Sequence, residues 1–321
     1  MFRISEIETF FPEKILTNED LQKEFPEWSP EKIFNKVGVK QRHIADKHET
    51  VLELAVKASE KLLKKIDKNE IDFILFCTQS PDYHLPTTAC ILQDRLGLRK
   101  DIGALDFNLG CSGFVYGLGV AKGLIAAGIA KNILLITSET YSKYLHEKDK
   151  SNKTIFGDGA AATLISKDIT KQSFEFELGT DGSGYEHLIV KNGGGKNPVS
   201  EEDIEGNCLY MNGRKIFIFT IERIPVLVED LLKKNNITKE EIDYFVFHQS
   251  NKHILNHQRE ILDIPEEKFY IDMETTGNTV SSTIPIALKD ALERGKVKRG
   301  DKVMLVGFGV GLSWGATIVE I

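Results

Sequence analysis

Glu70-Ile71-Asp72-Phe73-Ile74-Leu75-Phe76 and Glu241-Ile242-Asp243-Tyr244-Phe245-Val246-Phe247 are near copies of each other, about 170 residues apart. A second pair, Asn132-Ile133-Leu134-Leu135-Ile136 and Lys302-Val303-Met304-Leu305-Val306, stands at nearly the same offset. Each is a short continuous apolar run, which fits a strand buried on both faces better than the alternating pattern of a half-exposed strand. Two matches at one offset read as a duplication. An α/β unit is repeated, and its two sheets pack through shared helices.

The surrounding segments fit that reading. Val51, Leu54, Ala55, Ala58, Leu62, Leu63 and Ile66 make a helical stripe ahead of the first run. Pro86 is expected to open a helix reaching about Leu96. A strand near Ala104, a small-residue helix after Cys111, and strands over 133–137 and 160–165 follow. The second half repeats the order: a helix over 216–235, a strand over 242–247, helices over 251–262 and 281–294, and strands over 303–307 and 316–319. The halves divide as 1–170 and 171–321. Between them, Lys191-Asn192-Gly193-Gly194-Gly195-Lys196-Asn197-Pro198 reads as a loop. It lacks the GxxxxGK[ST] order of a phosphate cradle.

Composition narrows the function. In 321 residues the formal charge is −7, with acids and bases interspersed, so a nucleic-acid binder's basic stripe is absent. The start, Met1-Phe2-Arg3-Ile4-Ser5-Glu6, carries charge early, and no signal peptide is expected. The small-residue stretch 117–130 is too short for a membrane span and contains Lys122. The four cysteines show no CxxC spacing, which points to a reduced, cytoplasmic setting without a metal. His253 and His257 stand at i, i+4, but no third ligand lies nearby, and they read as surface residues.

Chemistry concentrates at Cys111, in Leu105-Asp106-Phe107-Asn108-Leu109-Gly110-Cys111-Ser112-Gly113-Phe114. A strand there turns into a helix. The helix start presents unpaired N–H groups and a positive dipole end, which favour a thiolate. Gly110 and Gly113 are expected to let a substrate approach the backbone. Two later segments complete a constellation. His248 begins the polar cluster that ends an apolar strand, and Asn278 lies in the turn Thr276-Gly277-Asn278-Thr279-Val280-Ser281-Ser282. Taken singly, these would be an inert buried thiol, a core histidine and a helix N-cap. Together, a thiol faced by two N–H donors can hold a developing oxyanion.

In these motifs the chain resembles the 3-oxoacyl-[acyl-carrier-protein] synthase III family of the thiolase superfamily, nearly end to end. The marks are Gly38-Val39-Lys40-Gln41-Arg42-His43-Ile44, the Cys111 segment, Phe156-Gly157-Asp158-Gly159-Ala160-Ala161, His248-Gln249-Ser250-Asn251, Gly277-Asn278-Thr279 and Gly307-Phe308-Gly309-Val310-Gly311-Leu312-Ser313-Trp314-Gly315. The resemblance implies a duplicated thiolase-like α/β fold, five layers αβαβα with two mixed sheets, and a homodimer. It implies that Cys111 accepts an acyl group from acyl-CoA or an acyl carrier protein. His248 and Asn278 would bind the malonyl thioester oxygen during decarboxylation, and the backbone N–H groups of Cys111 and Val310 would form the oxyanion hole. Lys32, Gly213, Arg214, Phe217 and Asn251 fall on substrate-binding positions, and Gln249, Ser250, Asn251, Lys252 and His253 on the carrier-protein contact. No cofactor is implied. Three positions depart from the family: Lys32 stands where an aromatic stacks adenine, His253 where an arginine docks the carrier, and Arg214 where an asparagine meets the CoA arm.

Two rivals use the same thiol. A cysteine protease also orders Cys, His and Asn, and His248 lies 137 residues after Cys111. The Cys-Gly-Ser-Cys-Trp type of segment is absent, however, and Cys111 is far from the start. An acyltransferase to an amine or hydroxyl acceptor would keep acyl-Cys111 without decarboxylation. The presence of both His248 and Asn278 favours carbon–carbon bond formation, since simple acyl transfer asks less of them.

Overall fold

The computed structural model describes residues 1–321. Two five-stranded sheets carry the fold, and they are built alike. The first runs in the order Phe2–Phe10, Gly159–Lys167, Asn132–Glu139, Phe73–Cys77, Gly103–Phe107; the second runs Phe176–Thr180, Ser313–Glu320, Lys302–Gly309, Tyr244–Phe247, Phe269–Tyr270. In each sheet the first three strands pair antiparallel and the last three parallel. The duplication therefore extends from sequence echo to strand order and sense.

The apolar runs are buried on both faces because each strand separates two helical layers. In Tyr244–Phe247, Phe245 and Phe247 face one core while Val246 faces another. In Phe73–Cys77, Leu75 joins the same central core as Val246, and Ile74 and Phe76 face the opposite side. Helices Gly113–Ala126 and Thr283–Glu293 lie between the sheets and touch strands of both. Helices Val51–Leu63 and Thr88–Arg95 cover the first sheet, and Gly213–Asn235 covers the second, with Lys252–Ile261 packed beside it. The layers are αβαβα.

Several expectations shift in detail. The helix expected from Pro86 begins at Thr88, because its first N–H groups are capped from a neighbouring strand. Asp106 accepts from Thr88 N at 2.5 Å and Ala89 N at 2.7 Å. The helix expected from 281 begins at Thr283, after a 3-10 turn over Val280–Ser282. The outer strands Phe2–Phe10 and Phe176–Thr180 had no clear signal. A register shift between Ile4 and Glu6 breaks the alternation of the first. Gly179 and the flanking charges mask the second.

Candidate active site

Cys111 ends the loop after Gly103–Phe107 and begins the central helix, buried against the end of Lys302–Gly309. Glycines are required on that strand by contact. A Cβ on Gly309 would sit 2.8 Å from Cys111 Cβ and 2.9 Å from its Sγ, and one on Gly307 would sit 2.9 Å from the Cys111 carbonyl. Gly110 and Gly113 have a different cause from the one expected. A Cβ on Gly110 would meet Gln79 Oε1 at 2.4 Å, and one on Gly113 would meet Cys77 Sγ at 2.4 Å. They are packing glycines beneath the nucleophile rather than a substrate approach.

The resting thiol also differs from expectation. Burial, with the charge of Glu139 adding to it, pushes Cys111 up to about 12. The backbone amides of Val310 and Cys111 pull the other way by hydrogen bonding to the sulfur. These are the two amides assigned to the oxyanion hole, and they converge on the thiol. Ser313 braces that loop, donating to the Val310 carbonyl at 2.7 Å and pairing with Ser112 Oγ at 2.7 Å.

His248 follows Tyr244–Phe247, and its backbone N–H is fixed to Val306 O at 2.7 Å. It is 2% exposed. Burial lowers its pKa to about 3, so the ring is neutral at physiological pH. Nδ1 lies 2.7 Å from Thr283 Oγ1, and Nε2 lies 3.5 Å from Asn278 Nδ2. Asn278 is not a helix cap. It bridges to Phe156: Asn278 N donates to Ile155 O at 2.9 Å, and Gly157 N to Asn278 O at 3.1 Å. This clasp accounts for the Gly157 motif, since a Cβ there would lie 2.4 Å from Thr276 O. The side chain is aimed by Val280 N, which donates to Oδ1 at 2.8 Å, while Nδ2 reaches Ser250 O at 3.4 Å. Val280 is a buried β-branched residue at φ 57°, a strained backbone at the centre of the site.

A cleft of roughly 460 Å³ opens nearby, lined by Lys36, Gly213, Phe217, Asn251, His253 and Ile254 among others. It gathers Gly213, Phe217, Asn251 and His253 of the expected substrate and carrier residues. Phe217 stacks on His253, centroids 5.8 Å apart, and lies 5.4 Å from His257. Lys32 is exposed outside this lining, its ammonium 5.6 Å from the Trp28 ring, with Lys36 and Lys150 over the same ring. Arg214 is exposed in the first turn of Gly213–Asn235. Lys252 and His253 are exposed, and Asn251 caps Lys252–Ile261 through Ile254 N at 2.9 Å.

Two carrier-contact residues are corrected. Gln249 is 1% exposed, donating to Phe247 O and Tyr270 O and accepting from Asp272 N. Its polar atoms are used internally, where they tie strand ends together. The Ser250 hydroxyl is likewise buried, and the Ser250 carbonyl holds Asn278. Neither side chain can meet a docking protein. Sequence reading missed Glu139, a fully buried carboxyl raised to about 8 by burial. It accepts from Gln79 N, Ser80 Oγ and Ser281 Oγ, and so joins the first sheet to the Asn278 turn. A lone carboxylate ending the apolar run 132–138 was the available signal.

A buried thiol at a helix start between two like sheets, together with a neutral histidine and an asparagine paired in the second half, defines the thioester-condensing class of thiolase-fold enzymes. Two family models describing 3-oxoacyl-[acyl-carrier-protein] synthase III match residues 105–182 and 232–321. A beta-ketoacyl-[acyl-carrier-protein] synthase III of Caldanaerobacter subterraneus subsp. tengcongensis is 35% identical, over 97% of this chain and 95% of its own. A crystal structure of a 3-oxoacyl-(acyl-carrier-protein) synthase III superposes with TM-score 0.98 at 44% identity, covering 100% of this chain and 99% of that one. The Aquifex aeolicus enzyme gives 0.90 at 32%, covering all of both. The chain belongs to the 3-oxoacyl-[acyl-carrier-protein] synthase III family.

Proposed function

We propose that this protein performs the decarboxylating Claisen condensation of an acyl thioester with malonyl-acyl-carrier-protein, initiating acyl-chain synthesis. The carrying observation is the convergence of His248 Nε2 and Asn278 Nδ2, 3.5 Å apart, in the second half, together with a buried Cys111 thiol held under two backbone amides. Two neutral donors at that separation can share one acceptor oxygen. The Cys111 sulfur attacks the donor carbonyl, whose oxyanion the Cys111 and Val310 amides receive, and the proton of the thiol leaves with the departing thiol. Malonyl-carrier then binds. Its C–CO2 bond breaks, and the electron pair becomes an enolate whose oxygen accepts from Nε2–H and Nδ2–H. The enolate carbon attacks acyl-Cys111, the C–S bond breaks with its electron pair on sulfur, which takes a proton from solvent to restore the thiol, and 3-oxoacyl-carrier departs. Neutral donors suit the enolate because an acid would quench it by protonation. The thiol, the two side chains and the amides supply every step without a cofactor.

The primer follows from the exposed face. Lys32 stands where the family has an aromatic to stack adenine, and the neighbouring Trp28 ring already carries the ammonium groups of Lys32, Lys36 and Lys150 within 5.8 Å of its centroid. Stacking of that kind is worth on the order of 1–3 kcal/mol. Free acetyl-CoA is therefore a poor primer, and a carrier-bound or longer acyl donor is preferred. Steady-state kinetics with both donor types checks this: an acetyl-CoA specificity constant equal to the best carrier-bound donor contradicts it. Lys252 and His253, exposed at the start of Lys252–Ile261 beside the cleft, offer the docking surface for the carrier. The molecule works as a cytoplasmic homodimer. Gly103–Phe107 ends the first sheet with an unpaired edge, Leu105 is 45% exposed on it, and Leu85 is 82% exposed on a nearby loop.

The division of labour is tested by His248→Ala and Asn278→Ala. Each removes one enolate donor and lowers malonyl decarboxylation by about 10²–10³, the cost of about 3 kcal/mol per oxyanion donor. Mass spectrometry should show Cys111 still acylated in both. Acylation lost as severely as decarboxylation would instead make His248 the base that activates the thiol.

A further inference from the structure

The Thr283 hydroxyl has one proton and two neighbours that can accept it. His248 Nδ1 is 2.7 Å away and the Val280 carbonyl 3.1 Å away. The choice decides what His248 can do. If the hydroxyl donates to Val280 O, the 2.7 Å contact requires Nδ1–H to donate to Thr283, and Nε2 is then bare and cannot donate to a substrate oxygen. If the hydroxyl donates to Nδ1, the proton of the neutral ring resides on Nε2, which points beside Asn278 Nδ2. Only the second arrangement presents two donors to one oxygen.

The surroundings hold this hydroxyl in place. Thr283 is buried at the first turn of the helix Thr283–Glu293. Val280, strained at φ 57°, aims Asn278 with its N–H and presents its carbonyl to Thr283. One turn thereby orients both donors. Burial also keeps the ring from carrying both protons.

We propose that Thr283 is a positioning residue that holds His248 in its Nε2–H form by donating its hydroxyl hydrogen bond to Nδ1. The proposal rests on the reading of His248 as an enolate donor. The Val280 carbonyl already faces the ring as a competing acceptor; without the hydroxyl nothing opposes it, and the ring moves its proton to Nδ1.

The test compares Thr283→Val, nearly isosteric, and Thr283→Ala, which removes the hydroxyl without a branched replacement, with Thr283→Ser, which retains it. Full-length protein labelled with 15N in the histidine rings reports the tautomer, with His248 assigned by difference against His248→Asn. Wild type and Thr283→Ser should show the Nε2–H form, and Thr283→Val and Thr283→Ala the Nδ1–H form. Decarboxylation of malonyl-carrier should fall at least tenfold in the Val and Ala variants and recover in Ser, with Cys111 acylation within a few-fold throughout. A ring that stays Nε2–H in both Val and Ala, or decarboxylation at the wild-type rate in either, overturns the proposal. If His248→Ala decarboxylates normally, the enolate-donor reading falls, and this proposal with it. That outcome is separable from a failure of Thr283 alone.

Discussion

Burial holds Cys111 as a neutral thiol at physiological pH, against the pull of two amides and the helix start, and the Glu139 carboxyl adds its like charge as it ionises above about 8. On the proposed reading, the thiolate is accordingly formed as the sulfur attacks rather than stored beforehand. Replacing Glu139 by Gln removes the like charge, and alkylation of Cys111 by iodoacetamide at pH 9 should speed up several-fold; an unchanged rate would show that the carboxyl does not reach the sulfur. Glu139 also leaves a mark on stability. Its folded pKa of about 8 lies above the 4.5 of a solvent-exposed glutamate. Between those values the folded protein keeps a proton that the unfolded chain has released, so stability falls as pH rises through that window. One proton contributes at most about 1.4 kcal/mol per pH unit. Denaturant melts should show a smaller decline in Glu139→Gln. Cys111, His248 and Asn278 were legible because each sits in a segment whose composition changes abruptly. Glu139 and Thr283 were less so: a threonine opening a helix reads as a cap, and only the position of His248 Nδ1 reveals what its hydroxyl does.

At the scale of elements, strand cores were easier to read than ends, because a two-faced apolar run needs no partner to be recognised. Ends depend on distant groups. Thr88–Arg95 starts where Asp106 supplies both acceptors. Asp106→Ala should cost about 1–2 kcal/mol in a denaturant melt, the range for a lost cap; a cost under a few tenths would mean that water replaces the carboxylate. The segment 249–250 misled for a related reason. The resemblance put both residues on the carrier contact, yet Gln249 finds its partners in Phe247, Tyr270 and Asp272, and the Ser250 hydroxyl is buried. Composition reports polarity but not where the partner lies. Gly309→Ala belongs to this scale too. The added methyl enters the space of Cys111 Sγ, and acylation should drop a hundredfold or more while far-UV circular dichroism is unchanged. Near-normal acylation would show that the strand yields.

For the whole molecule, the echo near residues 70 and 241 foretold two like sheets, since a repeated sequence can bury its repeated faces most simply in a repeated frame. The proposed pairing of copies is not readable this way, because an edge strand looks like any other in sequence. Leu105→Asp places a charge on the exposed edge of Gly103–Phe107. Sedimentation velocity should show a dimer of the 36.1 kDa chain becoming monomer; a wild-type monomer would refute the assembly. The central claim is that acyl-Cys111 is discharged onto carbon with loss of CO2. Intact-mass analysis tests it most directly, by loading the protein with an acyl thioester and then adding malonyl-carrier. A single acyl adduct is expected at Cys111, absent in Cys111→Ser, that disappears as CO2 and 3-oxoacyl-carrier form in equal amounts. An adduct that survives malonyl-carrier but is discharged by an amine or hydroxyl acceptor would contradict it.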